Sequence, residues 1–150
     1  METIEFLVLK NLLHNEEYVR KVIPFVKPDY FEDRNQRFVF EEIIKFVEDY
    51  NKPVTKEILC IEAEKRQDIT DDSFKEITTL ISSLDEQPSG FDWLVNTTEK
   101  WCRDRAIYLA LMESIHIADG NDEKKNRDSI PTILSDALGV SFDTNVGHDY

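Results

Sequence analysis

The stretch between Gly90 and Gly120 contains neither glycine nor proline, and its apolar residues recur at helical spacing. Leu94, Trp101, Tyr108 and Ile115 follow one another at intervals of seven residues. A seven-residue interval keeps side chains on one face of an α-helix. The pattern predicts a helix over residues 91–118, about 27 residues and about 40 Å long, with Asp92 as its N-cap.

The rest of the chain is also poor in turn-forming residues, with 4 glycines and 5 prolines among 150 residues. Apolar residues at i, i+3 and i+4 predict helices over residues 2–14 and 33–50 and a helix that Asn15 caps. Two shorter helices are expected after Thr55 and after Thr70 or Asp71, which are good N-cap residues. The sequence therefore predicts an all-α fold.

Two prolines punctuate the first part of the chain. Pro24 and Pro28 are expected to end the helix that Asn15 begins, because proline lacks a backbone donor and restricts the residue before it. The segment 27–31 is then a corner. Its aromatic residues Tyr30 and Phe31 are predicted to fill the core.

The chain divides at the Pro/Ser/Gly-containing segment 87–90. We expect a small helical globule over residues 1–90 and a helical hairpin over residues 91–142, with residues 143–150 as the start of a linker. The second helix of the hairpin is predicted to start at Asp128 or Ser129, with Pro131 in its first turn. Its apolar stripe contains Ile130, Ile133, Leu134, Ala137 and Leu138.

The long helix has apolar residues on two to three faces between Ala106 and Ala118, more than one short helix can cover. The excess surface either packs against residues 1–90 as ordinary core or forms a contact between chains. We favour a contact in which the hairpins of two chains form an antiparallel bundle. The residues predicted to build the hairpin and this contact are Trp101, Tyr108, Leu111, Met112 and Ile115, with Ile130, Ile133 and Leu134 opposite.

The chain is acidic, with 18 basic and 31 acidic side chains and a net charge of −13. No segment has the basic face that binding to nucleic acid or to an anionic membrane needs, so both are disfavoured. The longest apolar run, 106–112, is too short to span a bilayer. The acidic N-terminus does not resemble a signal peptide, and Cys60 and Cys102 form no motif, so a cytoplasmic protein with reduced thiols is expected.

No catalytic, cofactor-binding or metal-binding residues can be assigned from the sequence. None of the four glycines is followed by lysine, which excludes the phosphate-binding P-loop. His14, His116 and His148 lie far apart and match no metal-ligand spacing. The acidic segment 119–123 lacks the glycine and glutamate positions of a calcium loop. These exclusions favour binding or assembly over catalysis.

The order of several short motifs resembles the N-terminal domain of DnaB-type replicative helicases. These motifs are Lys27-Pro28-Asp29-Tyr30-Phe31, Arg37-Phe38-Val39-Phe40-Glu41-Glu42-Ile43-Ile44, Lys52-Pro53-Val54, Trp93-Leu94-Val95, Thr98-Glu99-Lys100 and Arg103-Asp104-Arg105-Ala106. The ending, residues 141–150, is most similar to helicases of T-even-like tailed phages. In those proteins such a segment leads into a RecA-like motor, which this chain lacks.

The resemblance implies an assembly role without catalysis. In the family, hairpins pair into dimers, and three dimers form a collar on a hexameric ring that contacts primase and helicase loaders. ATP and Mg²⁺ are then expected to bind only to the motor. This domain is expected to interact with DNA only indirectly, through the ring. A phage-encoded protein of this kind would act in the host cytoplasm.

Three alternatives remain open at the level of sequence. A free-standing phage or bacterial protein could bind a host helicase or primase by mimicking the collar. An acidic DNA mimic would concentrate its carboxylates on one face, but here they are spread along the chain. A small helical enzyme would need a polar pocket that the sequence does not indicate.

Overall fold

The computed structural model describes residues 3–86, 90–121 and 125–142. In these residues all regular structure is helical, as predicted. The seven α-helices are α1 (Ile4–His14), α2 (Glu16–Val22), α3 (Arg34–Tyr50), α4 (Lys56–Lys65), α5 (Asp71–Ser82), α6 (Phe91–Ala118) and α7 (Ile130–Leu138). Two short 3₁₀ helices, Pro28–Tyr30 and Arg127–Ser129, lie between them. No described helix is long and apolar enough to cross a membrane.

The first five helices each begin at a side chain that accepts a hydrogen bond from the first turn. Asn15 accepts from the backbone N–H of Tyr18 at 3.0 Å, and Thr70 accepts from that of Ser73 at 3.0 Å. Such caps satisfy donors that have no partner inside the helix. The caps of α1 to α5 are Thr3, Asn15, Asp33, Thr55 and Thr70.

The segment 27–31 forms the predicted corner. It contains the 3₁₀ helix Pro28–Tyr30, and both of its aromatic side chains are buried, Tyr30 at 4% and Phe31 at 0% exposure. The Phe31 ring lies 5.0 Å from that of Phe40 on α3. Arg37 donates from its side chain to the carbonyl of Phe31 at 2.9 Å. The corner is therefore held against α3 by an aromatic contact and a hydrogen bond.

The described chain falls into two compact units, Met1–Val95 and Asn96–Tyr150. The division lies within α6, which is helical on both sides of it. The sequence-based bounds 1–90 and 91–142 stay a prediction. Residues 87–89 of the expected boundary and the expected linker 143–150 lie outside the described residues.

The N-cap prediction for α6 is wrong. The helix begins at Phe91, and the carbonyl of Gly90 accepts a hydrogen bond from the backbone N–H of Leu94 at 2.9 Å. Asp92 therefore lies inside the first turn. A carboxylate is favourable there because the helix dipole is positive at its N-terminus.

A candidate assembly surface on the long helix

The second unit contains a helical hairpin. The chain just before α7 bonds to the C-terminal half of α6, and the chain just after α7 bonds to its N-terminal half, so the two segments run antiparallel. Arg127 donates to the carbonyl of Ala118 at 3.2 Å, and Arg103 donates to that of Val140 at 3.0 Å. Further contacts are Lys125 with Glu113, and the backbone N–H of Phe142 with the Glu99 carboxylate at 2.7 Å.

One face of α6 is covered inside this hairpin. Ala110, Ser114 and Ile117 are buried, with 6%, 7% and 3% of their surfaces exposed. At about 100° per residue they share a stripe with Glu99 and Arg103, the residues that bond to the returning chain. This face is occupied within the chain and cannot contact a partner.

The opposite face of α6 is apolar and exposed. Tyr108, Leu111, Met112 and Ile115 are 50%, 48%, 49% and 55% exposed. Their i, i+3, i+4 and i+7 spacing places them on one side of the helix. Around the helix axis they lie about 100–160° from Ala110. We call these four residues the apolar stripe. Exposed apolar patches of this kind are typical of surfaces that bind other molecules.

Charged side chains lie at the N-terminal end of the apolar stripe. The Arg105 guanidinium lies 4.9 Å from the centre of the Tyr108 ring, within the range of a cation–π contact. One turn earlier, Lys100 and Asp104 form an exposed ion pair at 3.5 Å. The Arg105 contact restrains the Tyr108 ring while leaving half of its surface open.

The structure separates the eight predicted interface residues into three groups. Tyr108, Leu111, Met112 and Ile115 form the apolar stripe. Ile130, Ile133 and Leu134 are half-buried on α7. Trp101 is buried, at 7% exposure, and so is not available on the surface of this chain.

On α6 and α7, two large exposed apolar residues were not predicted as interface residues. Leu138, the last residue of α7, is 65% exposed, although its spacing places it in the stripe with Ile130 and Leu134. Trp93, in the first turn of α6, is 56% exposed. The spacing of apolar residues does not predict that these two side chains are exposed. Their exposure depends on which other segments cover the ends of the two helices.

The described residues contain neither a metal-binding cluster nor a cysteine with a lowered pKa. The described residues contain no group of three or more His, Cys, Asp or Glu that could hold a metal ion. Burial, together with the nearby Glu99 charge, raises the pKa of the Cys102 thiol to about 12, so this thiol is a poor nucleophile. Burial also raises the pKa of Cys60, with a smaller contribution from Glu57.

Residues 1–91 match the family described as the DnaB-like helicase N-terminal domain. This match covers more than half of the chain. The chain belongs to this family. Its relatives include a DnaB-like replicative helicase of Enterobacteria phage T4, which is 32% identical over 152 aligned residues. That alignment covers 96% of this chain and 32% of the relative, so this DnaB-like domain spans about a third of the T4 protein's length.

Proposed function

We propose that this DnaB-like domain is an assembly domain of a replicative helicase, and that the apolar stripe of one chain packs against the same stripe of a second chain. The observation that carries the proposal is the exposure of four large apolar residues on the face of α6 opposite the hairpin contacts. An isologous contact uses one surface twice and so buries two such stripes together.

The wider role is a proposal that rests on the family. The T4 relative is a DnaB-like replicative helicase, which supports a role for this domain in DNA replication. We propose that copies of this domain assemble into a collar. The collar then contacts primase and a helicase loader. Nucleotide and Mg²⁺ binding are assigned to a motor region outside this segment, which itself carries no catalytic step.

The test replaces two central residues of the apolar stripe, Tyr108→Asp and Met112→Asp, in the same chain. The two substitutions remove large apolar side chains from the contact and place carboxylates in it, at a cost of about 3 kcal/mol or more together, so the dissociation constant should rise about 100-fold or more. Light scattering across a concentration series should then give the mass of one chain, 17.6 kDa, where the unmodified chain gives a larger mass.

A matched control carries Tyr50→Asp and Ile61→Asp. These residues are 64% and 54% exposed on α3 and α4, and the two substitutions change the net charge equally. The control should associate like the unmodified chain, and circular dichroism should show the same helix content in all three proteins. An unmodified chain that stays monomeric at every concentration, or a stripe variant that keeps the larger mass, would refute the proposal.

A further inference from the structure

A cleft of about 190 Å³ lies in the first unit, where the ends of α1 and α3 meet α2. Its apolar lining is formed by Leu12, Leu13, Val19 and Val47. Leu12, Leu13 and Val19 are almost fully buried, so their positions are fixed by the core beneath them. The cleft shares no residue with the apolar stripe.

The rim of the cleft has a small excess of positive charge, in contrast to the chain as a whole. It contains Arg20 and Lys52 against one carboxylate, Glu16, together with the imidazole of His14, whereas the chain carries a net charge of −13. Arg20 pairs with Glu16 at 2.8 Å, and His14 bonds through Nε2 to the carbonyl of Leu84 at 2.6 Å. Lys52 forms no ion pair with any residue in the described ranges.

The backbone at the rim holds Lys52 in place. Asn51 ends α3 in the left-handed region, with φ at 53°, and its N–H donates to the carbonyl of Val47 at 2.7 Å. Asparagine adopts this region more readily than most residues. Pro53 restricts Lys52 to extended conformations. The cleft is thus pre-formed, which reduces the entropy lost on binding.

Size and polarity limit what the cleft can bind. Pockets for cofactors and drug-sized molecules have volumes of about 300–1,000 Å³, so this cleft is too small for one. One large side chain of a partner would fill it, as anchor residues do at protein interfaces. A phosphate group needs several cations that are free to bind it, but at this cleft Arg20 is already paired with Glu16. The apolar lining contains no hydrogen-bond donors for a phosphate.

We propose that the cleft is a docking site for a segment of a partner protein that inserts one large apolar side chain and carries Asp or Glu beside it. The apolar lining receives the side chain. Lys52 and Arg20 receive the carboxylates, by charge complementarity. This goes beyond assembly through the apolar stripe and does not depend on it.

The experiment selects binders to the full chain from a displayed library of random peptides, each about a dozen residues long, a length typical of peptide-recognition segments. The selected peptides should share acidic residues next to Leu, Phe or Trp. Fluorescence anisotropy then measures their affinity for the chain carrying Arg20→Glu and Lys52→Glu. Reversal of both rim charges should weaken binding about tenfold or more.

The matched control carries Arg34→Glu, at the opposite end of α3 from the cleft, and Lys75→Glu on α5. Both residues are exposed and lie outside the cleft lining, and the change in net charge is the same. Peptide affinity for the control should stay within about twofold of the unmodified chain, because distant exposed charges are screened. The Tyr108→Asp, Met112→Asp chain should also keep its affinity, which separates this proposal from that of assembly.

Four results would overturn the proposal. One is a library that yields no binders, and another is a set of binders without acidic residues. A third is binding that the rim variant retains. The fourth is self-association that the rim variant loses while the control keeps it, since the occupant would then be a second copy of this chain.

Discussion

Arg66 shows how one side chain can join two helices of the first unit. It follows α4, and its guanidinium donates to the Glu42 carboxylate of α3 at 3.1 Å. Glu42 is buried, at 7% exposure, so its charge needs this partner. The guanidinium also lies 4.8 Å from the centre of the Phe38 ring, and its hydrogen bond lowers the pKa of Asp68. Arg66 thus contributes to the α3–α4 packing through an ion pair with a buried carboxylate.

Replacing Arg66 with Met keeps most of the apolar stem but removes the donor to Glu42. Leaving a buried acceptor without its partner costs about 1–3 kcal/mol, and we expect a loss of about 2 kcal/mol in the free energy of unfolding by urea. Lys65→Met is the matched control. It removes an exposed pair with Glu62, which contributes about 0–1 kcal/mol. Equal losses in the two variants would show that Glu42 does not need Arg66.

At the scale of helices, local chemistry predicted the starts of α2, α4 and α5, although the sequence left Asp71 as an alternative to Thr70. Asn15, Thr55 and Thr70 cap as predicted because a short polar side chain satisfies the N–H groups next to it, whatever the rest of the chain does. Asp92 failed as a cap because Gly90 supplies the first carbonyl of α6. Nothing in the pattern of residues distinguishes a cap from a first-turn carboxylate.

The apolar stripe was only partly predictable. Periodicity places Trp101, Tyr108 and Ile115 in one series, yet Trp101 is buried and the other two are half-exposed. Spacing defines the face of a helix to which a residue belongs. Whether other segments cover that face changes along the helix, and this depends on tertiary packing. The rim of the cleft was not predicted either, since His14, Arg20 and Lys52 come together only when α1, α2 and α3 pack.

Lys56, at the start of α4, joins it to the chain after α5. It donates to the Asp85 carboxylate at 2.7 Å and to the carbonyl of Ser82 at 3.1 Å. The hydrogen bond from Lys56, and then its charge, lower the pKa of Asp85 from its ordinary 3.8. The folded-state pKa is therefore below the unfolded one. The ion pair stabilises the fold above the unfolded value, and this contribution is lost as the pH falls through the folded one.

Asp85→Asn should therefore lower stability at neutral pH, and its difference from the unmodified chain should shrink below about pH 4. Urea unfolding from neutral to acidic pH measures this difference. Asp49→Asn removes an exposed carboxylate that forms no ion pair with a described residue, and serves as the control. A difference that is constant down to the lowest pH would show that the Lys56 contact does not act on the titration of Asp85.

For the whole molecule, the two proposed surfaces differ in how net charge acts on them. Two chains that each carry a net charge of −13 repel one another. The two apolar stripes associate because contact between them removes apolar surface from water. At the cleft, Arg20 and Lys52 attract an acidic ligand at short range, although the net charge of the chain repels it at longer range. The Debye length falls from about 30 Å at 0.01 M salt to about 8 Å at physiological ionic strength, so salt weakens both the repulsion and the attraction.

Salt should thus strengthen self-association, and it should reduce the loss of peptide affinity that the Arg20→Glu, Lys52→Glu variant shows relative to the unmodified chain. Sedimentation equilibrium and anisotropy, each carried out at low and at physiological ionic strength, measure the two dissociation constants. The Tyr108→Asp, Met112→Asp chain should remain monomeric at both salt concentrations, while reversal of the rim charges in it should still cost less peptide affinity at the higher one. Self-association that weakened with salt would mean that ion pairs, such as those available around Arg105 and Asp104, dominate the contact and that the apolar stripe does not.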